Sequence, residues 1–205
     1  VLFRSAEHTA VREDVGVFDV SHMGKFRFTG AGALDAVNAI VANDIERIGD
    51  WQAQYSLLCN AEGGTIDDLI VYRVSRDEIR IVPNASNADA DAAYIAERLP
   101  SGIRFDNRHE VDGILAIQGP NVDRVMHAIG LPCDHPYMSL VDAMYDGVPV
   151  QVCRTGYTGE RGFELVAPND TIVKLWDAVV AAGAVPAGLG ARDTLRTEMG
   201  YALHG

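Results

Sequence analysis

The sequence predicts an α+β fold built from two halves, and three observations lead to this prediction. Apolar residues alternate with period two in some stretches and recur at helical spacing in others. Gly, Asn and Asp turn signals separate these stretches. A similar order of strands and helices then occurs twice along the 205 residues, which are enough for one large domain or two small ones.

The first half opens with a helix over residues 6–14. It continues in a β-α-β-β-α-β order with one extra strand, which is close to a ferredoxin-like split unit. The strands of this order are expected at residues 25–30, 52–60, 65–74, 78–84 and 104–108, and its helices at 32–44 and 87–99.

The second half repeats a similar topology with a different sequence. Asp146-Gly147 is a hairpin signal between two of its strands. No Pro-rich linker or low-complexity segment separates the halves, so we expect the two ferredoxin-like halves to pack against each other. The strands are expected at residues 113–119, 139–147, 148–154 and 162–168, and the helices at 120–130, 169–183 and 191–200.

Composition excludes several classes of function. The net charge of −12 and the pI near 4.8 argue against general nucleic-acid binding, which depends on Lys and Arg neutralising phosphates. No apolar run approaches the roughly 20 residues that a membrane-spanning helix needs. The first residues do not form a signal peptide, because their apolar part is short and is followed by charge. Small molecules and proteins remain as partners.

The three cysteines, Cys59, Cys133 and Cys153, are far apart in the sequence. None has the Cys or His spacing of a zinc site, so we expect no metal. A sparse, odd set of cysteines fits a reducing cytosol better than a disulfide framework.

The stretch GGTIDDLIVYR, residues 63–73, carries two adjacent acids into an apolar strand. Side chains alternate between the two faces of a strand, so Asp68 shares a face with Ile70 and Tyr72, whereas Asp67 shares the other with Leu69. One interpretation is turn chemistry, in which an Asp after Gly-Gly accepts backbone N–H bonds. The other is a carboxylate that lines a pocket beside Ile70 and Tyr72.

The stretch RTGYTGERGFEL, residues 154–165, links two strands and places Glu164 inside the second strand. The glycines alone are explained by a long hairpin loop that needs positive φ. A carboxylate can also accept two parallel N–H bonds from an amidine-like edge, such as a pterin presents. A salt bridge is the competing role for Glu164.

Two further stretches carry candidate residues. In GLGARDTLRTEMG, Arg192 lies near the start of a helix, where the dipole disfavours a cation, which suggests a specific anion such as Asp193, Glu164 or a ligand. A structural ion pair and a ligand contact are both open. In FDVSHMGKF, His22 has no second histidine at ligand spacing, and we interpret it as structural or capping.

Taken in order, these stretches resemble the T-protein family of the glycine cleavage system, the aminomethyltransferases. The resemblance also rests on VPNASN, LAIQGP and PAGLGARDTLRTEMGYALHG, and runs from about Ala6 to Gly205. It implies transfer of an aminomethyl carbon from the lipoyl arm of the H protein to tetrahydrofolate. Ammonia leaves and 5,10-methylenetetrahydrofolate forms, by orientation and electrostatics more than by covalent chemistry.

The resemblance also implies roles for single residues. Asp68 matches the key carboxylate beside the reacting folate nitrogens, and Glu164 matches the acid that holds the pterin edge. Arg192 matches an arginine at the folate site. The other folate-pocket positions implied are Met23, Tyr55, Ile70, Tyr72, Asn84, Tyr157 and Tyr201.

The family fold implies a first folate-binding subdomain from residues 1–22 and 109–205, and a second from residues 23–108. Relatives begin earlier and continue beyond YALHG into a third, β-rich domain, so we expect a fragment that lacks both ends. Val1–Ser5 does not fit the family sequence, and we expect it to be an artefact.

Three related functions are alternatives. They are a non-enzymatic folate-binding protein of iron–sulfur assembly, the folate domain of a dimethylglycine or sarcosine dehydrogenase, and a related demethylase. The combined set DDLIVYR, RTGYTGERGFEL and GLGARD favours the aminomethyltransferase. We expect a cytoplasmic protein that binds neither nucleic acid nor membrane.

Overall fold

The computed structural model describes residues 2–204 and divides them into two compact units. The first unit comprises the residues up to Ser21 together with Asp112–Leu203, and the second comprises His22–Val111 and His204. Val1, one residue of the Val1–Ser5 segment, and Gly205 lie outside the described residues. The assignment of the two units as folate-binding subdomains, and their packing against each other, stay predictions.

The two units contain mixed α and β structure, as the sequence predicts. In chain order the elements are α1 (Leu2–Glu13), β1 (Gly16–Asp19), β2 (Phe26–Thr29), α2 (Ala33–Asn38), a 3₁₀ turn (Ile45–Arg47), β3 (Gln52–Cys59), β4 (Thr65–Ser75), β5 (Glu78–Pro83), α3 (Ala88–Ala96), β6 (Arg104–Asn107), β7 (Asp112–Gln118), α4 (Val122–Ala128), β8 (Leu140–Tyr145), β9 (Val148–Cys153), β10 (Gly162–Pro168), α5 (Asn169–Ala181), β11 (Val185–Pro186) and α6 (Leu189–Glu198).

The first unit is built on a six-stranded sheet in the order β11-β1-β7-β10-β9-β8. Every residue of β7 is buried, so this strand is covered on both faces. Helix α5 packs on β7 and β10, and its buried Leu175 and Val179 belong to the same core as Phe163 and Leu165. Helix α1 packs on α6 and β1. The core of this unit therefore fixes β10, the strand that carries Glu164.

The second unit is built on a five-stranded sheet in the order β3-β4-β5-β2-β6. Strand β4 is flanked by β3 and β5, and its burial alternates over Asp67, Asp68 and Leu69. Leu69 and Val71 join the core that also contains Ala88 and Ile95 of α3. Asp67 shares their face, whereas Asp68 lies on the opposite one.

Two strands of the first unit are absent from the sequence-based expectation. Strand β1 has four residues and β11 has two, and they pair in parallel through Gly16 with Val185 and Val17 with Pro186. Such short segments offer too few residues for an alternating pattern. Their identity as strands comes from pairing partners that are distant in the sequence, β7 and each other.

No helix within residues 2–204 is both long enough and apolar enough to cross a membrane.

Gly119, immediately after β7, is packed closely against the end of α1 and the residue that follows it, and a substitution there tests this packing. Its φ is +144°, and a Cβ there would lie 2.2 Å from the Asp14 carbonyl oxygen. We predict that Gly119→Ala lowers the free energy of unfolding by roughly 3 kcal/mol, from the backbone collision added to the cost of positive φ. Urea unfolding of the full chain measures this change.

Gly130→Ala is the matched control, because Gly130 has φ +71° but no atom within 4 Å of the added Cβ. It should cost only about 1 kcal/mol, the price of positive φ alone. Equal effects of the two substitutions would contradict the collision.

Candidate functional site

Asp68 is held in place by hydrogen bonds to both of its carboxylate oxygens. The Asn84 side-chain amide donates to Oδ1 over 2.8 Å, and the Tyr55 hydroxyl donates to Oδ2 over 3.1 Å. Tyr55 comes from β3 and pairs with Ile70, two residues along β4 from Asp68 on the same face. The carboxylate therefore has a fixed orientation on the half-buried face of β4.

Asn84 connects Asp68 to its neighbour Asp67. The same Asn84 side-chain nitrogen lies 3.0 Å from Asp67 Oδ1 and 2.9 Å from the Asp68 carbonyl oxygen, and the Asn84 backbone N–H donates to Asp67 Oδ2 over 2.9 Å. Asn87 donates to Asp67 Oδ1 over 2.9 Å. His204 lies 3.9 Å from that oxygen and 2.8 Å from the Asn87 amide nitrogen. Asp67 is fully buried and is thus surrounded by donors.

Asp91, on the first turn of α3, is a second fully buried acid beside Asp67. Neither of its oxygens accepts a hydrogen bond from a donor in the part of the chain that the structure describes. Burial, together with the hydrogen bond and the charge of Asp67, raises the pKa of Asp91 to about 8. Its carboxyl group is therefore protonated at neutral pH.

The remaining candidates of this unit lie on β4 and in the connection between β1 and β2. Ile70 is half-buried and shares the Asp68 face, and Tyr72 is buried further along the same strand. Met23 lies in the connection between β1 and β2, where its carbonyl oxygen is 3.2 Å from His109 Nδ1. His22 is exposed in the same connection.

The first unit holds a second carboxylate site at Glu164. The Thr155 hydroxyl donates to Glu164 Oε2 over 2.5 Å. Thr155 is itself held by the buried Gln118, whose side-chain amide donates to the Thr155 carbonyl oxygen over 3.2 Å. The Thr158 hydroxyl donates to the Gln118 Oε1 atom over 2.8 Å. One buried glutamine therefore fixes the loop that follows β9.

Glycines let this loop close over Gln118. A Cβ on Gly156 would lie 2.1 Å from Gln118 Oε1, and one on Gly162 would lie 2.2 Å from Gln118 Nε2. The sequence gives a loop rich in glycine, but it does not indicate that a glutamine from β7 fills the space that the absent side chains leave.

Arg192 of α6 belongs to the same unit as Glu164. Burial lowers the pKa of its guanidinium, while the nearby Glu164 and Tyr157 act to raise it. The guanidinium carbon lies 4.7 Å from the centre of the Tyr157 ring. The adjacent Asp193 pairs instead with Arg196, over 2.7 Å.

Tyr157 also lies against Tyr201, with ring centres 5.7 Å apart and nearly parallel planes. The Tyr157 hydroxyl donates to the Ala202 carbonyl oxygen. The family resemblance gives Tyr157 and Tyr201 as separate pocket positions. In the structure they form one stacked pair beside Arg192.

A cavity of about 360 Å³ opens in the first unit next to these groups. Burial lowers the pKa of the Arg154 guanidinium in its wall, and the neighbouring Arg161 lowers it further. Sequence reasoning did not assign Tyr137 to a site, since a lone tyrosine in a loop gives no signal. The side chains that line the cavity are Tyr137, Arg154, Thr155, Glu160, Arg161 and Tyr201.

The predicted site residues thus form two groups, one in each unit. Asp68, Tyr55 and Asn84 are joined by hydrogen bonds in the second unit. Tyr157, Tyr201 and Arg192 form a contiguous group in the first unit, with Glu164 acting on the charge of Arg192. The folate-binding roles of these residues stay predictions. Within residues 2–204 no three His, Cys, Asp or Glu side chains converge as metal ligands would.

The chain and its fold match a known class of protein. The chain matches the family described as GCVT N-terminal domain over residues 3–205. The chain belongs to this family, as the T-protein resemblance of the sequence predicts.

Relatives with established names extend this result. The chain is 55% identical over 204 residues to an aminomethyltransferase of Frankia alni, covering 98% of this chain and 56% of the relative. It superposes on the crystal structure of the glycine cleavage system aminomethyltransferase T from Bartonella henselae with a TM-score of 0.91 at 32% identity, covering 98% of this chain and 55% of that chain. The chain therefore spans about half the length of these relatives.

A more distant structure shares the fold alone. The heterotetrameric sarcosine oxidase from Corynebacterium sp. U-96 matches with a TM-score of 0.61 at 12% identity, over 100% of this chain and 96% of that chain. This likeness concerns architecture and carries no information about the reaction.

Proposed function

We propose that the protein containing this chain is an aminomethyltransferase of glycine cleavage. It moves the aminomethyl carbon from the lipoyl arm of an H protein to tetrahydrofolate, and releases ammonia as 5,10-methylenetetrahydrofolate forms. The single observation that carries the proposal is the fixed Asp68 carboxylate in a chain of this family. The name aminomethyltransferase on relatives at 50–55% identity supports it over the related demethylases and the non-enzymatic folate proteins.

Asp68 acts in this proposal as the group that orients the reacting folate nitrogens and stabilises positive charge on them. A carboxylate whose two oxygens already accept from Asn84 and Tyr55 needs no rearrangement when such charge develops. The oriented carboxylate also helps to hold folate beside the arriving lipoyl arm. Ile70 and Tyr72 are proposed to contact the ring system, with Met23 nearby.

Glu164 is proposed to hold the amidine-like edge of the pterin. The hydrogen bond from Thr155 to Oε2 fixes the carboxylate plane. A fixed carboxylate can accept two parallel N–H bonds with little further loss of side-chain entropy. Arg192, Tyr157 and Tyr201 are proposed to complete this part of the folate site, with the guanidinium available to an anionic or carbonyl oxygen of the ligand.

The proposed partners are tetrahydrofolate as co-substrate and the lipoyl-carrying H protein, with no metal. We also propose a cytoplasmic location, in keeping with the small, odd number of widely spaced cysteines in the sequence.

Asp68→Asn tests the catalytic role. The substitution keeps the size of the side chain but removes the charge, so we expect turnover by the full-length protein that contains this chain to fall about 10²–10⁴-fold. Tetrahydrofolate affinity should change by no more than a few fold. Glu62→Gln, in the exposed loop before β4, is the control and should behave as wild type. Turnover of Asp68→Asn within a few fold of wild type would contradict the assignment.

Glu164→Ala tests the pterin contact by calorimetry. Loss of a charge-assisted pair of hydrogen bonds should weaken tetrahydrofolate binding by roughly 10- to 100-fold, which corresponds to about 1.5–3 kcal/mol. Asp177→Ala removes an exposed carboxylate from the same unit and should leave affinity unchanged. Unaltered affinity of Glu164→Ala would refute this role.

A further inference from the structure

Asp91 is linked to Asp68 through two intervening groups, Asp67 and Asn84. Asp91 lies one helical turn after Asn87, and its backbone N–H donates to the Asn87 carbonyl oxygen over 2.8 Å, while the Asn87 side chain donates to Asp67 Oδ1 over 2.9 Å. The same arrangement is reflected in the raised pKa of Asp91, to which burial and then Asp67 contribute. Asp67 accepts from the Asn84 side-chain amide over 3.0 Å, and the same amide donates to Asp68 Oδ1 over 2.8 Å. The order Asp91, Asp67, Asn84, Asp68 therefore runs from the interior of the second unit to its candidate reacting group.

Two acids buried beside the same asparagine, Asn87, require a proton between them. Asp67 and Asp91 are both fully buried, and two ionised carboxylates have only acceptor atoms to offer each other. The Asp67 oxygens already accept three N–H bonds from Asn84 and Asn87. The Asp91 oxygens accept none from the described residues. Asp91 is therefore the better holder of the proton, and Asp67 the better holder of the charge.

We propose that Asp91 is a positioning residue. It stays protonated and donates a hydrogen bond to Asp67, and it thereby fixes the Asn84 amide that orients Asp68. The inference rests on the proposed function for its catalytic consequence, but the proton and its effect on Asn84 exist independently of any reaction.

Loss of this proton changes the environment of Asn84 through Asp67. A second buried negative charge beside Asp67 repels it, and Asp67 is anchored by both the backbone and the side chain of Asn84. The other ionisable groups around the pair are Asp68, which shares the Asn84 amide, and His204, 3.9 Å from Asp67 Oδ1. Both remain in a variant that changes Asp91 alone.

The decisive experiment follows the Asn84 side-chain amide by nuclear magnetic resonance in the full chain, labelled with ¹⁵N-asparagine. Asn84→Ser identifies the signal. In the wild type the amide resonance should shift as pH rises through about 8, the pKa that burial gives Asp91. In Asp91→Asn, which retains a donor and cannot ionise, the shift should be absent.

Asp89→Asn is the matched control, since Asp89 lies on the same first turn of α3 but is exposed. Its Asn84 resonance should titrate as in wild type. The proposal is overturned if the wild-type amide does not respond, or if Asp91→Asn responds in the same way.

Unfolding gives a second readout that needs no activity. The native state binds the Asp91 proton up to pH about 8, whereas the ordinary pKa of an aspartate is 3.8, so between these values the native state holds the extra proton. Stability contributed by this group is full at low pH and is lost as pH rises through this window. We expect the wild-type urea midpoint to decline from pH 5 to pH 8.5 more steeply than that of Asp91→Asn. Parallel curves would contradict a proton on Asp91.

The pH dependence of turnover distinguishes a positioning role of Asp91 from a purely structural one. The wild-type kcat should decrease above pH 8 with little change in KM for tetrahydrofolate, and Asp91→Asn should lack this decrease. Asp91→Ala should lose at least tenfold in kcat, which Asn largely restores. Identical pH profiles for wild type and Asp91→Asn would reject the positioning role. Absence of turnover in the wild-type full-length protein that contains this chain would refute the proposed function, while the amide titration would still decide the role of Asp91.

Discussion

Burial of the Asp67 carboxylate is the constraint on which the second unit depends. A buried charge is costly unless hydrogen bonds replace its water. Asn84 and Asn87 supply these bonds, so the segment after β5 must lie against β4, and α3 begins immediately afterwards at Ala88. This placement brings Asp91 to Asp67 and leaves the Asn84 amide within reach of Asp68. The orientation of the candidate reacting group is thus a consequence of satisfying its buried neighbour.

In the first unit a different side-chain amide, that of Gln118, has a comparable role. Gln118 is fully buried at the end of β7, and it accepts from and donates to the loop that follows β9. Thr155 of that loop then fixes Glu164. In each unit a primary amide from one element therefore holds a neighbouring segment in place, and a candidate carboxylate is oriented directly or through one hydroxyl. Because an amide both donates and accepts, it can serve several backbone and side-chain groups at once.

Much of this organisation could be predicted from the sequence. Period two in β4 separates Asp67 from Asp68, and turn signals give the long strands to within a few residues. The strands β1 and β11 could not be predicted, because they are defined by pairing across the chain. Likewise, Asp91 is one of several acids in NADADAAYIAERL. Its burial, in contrast to the exposure of Asp89, follows only from the packing of α3 against the core that contains β4. Gln118 lies in LAIQGP, one of the stretches that carry the family resemblance, but its role could not be predicted, because it depends on glycines far along the chain.

In the proposed reaction, a pre-oriented Asp68 meets the reacting part of tetrahydrofolate. A crystal structure of the full chain with tetrahydrofolate bound measures this most directly. We expect an Asp68 oxygen within about 3 Å of a folate ring nitrogen, with the hydrogen bond from Asn84 still in place. A folate ring bound away from Asp68, or an Asp68 side chain that has left Asn84 and turned to solvent, would contradict it.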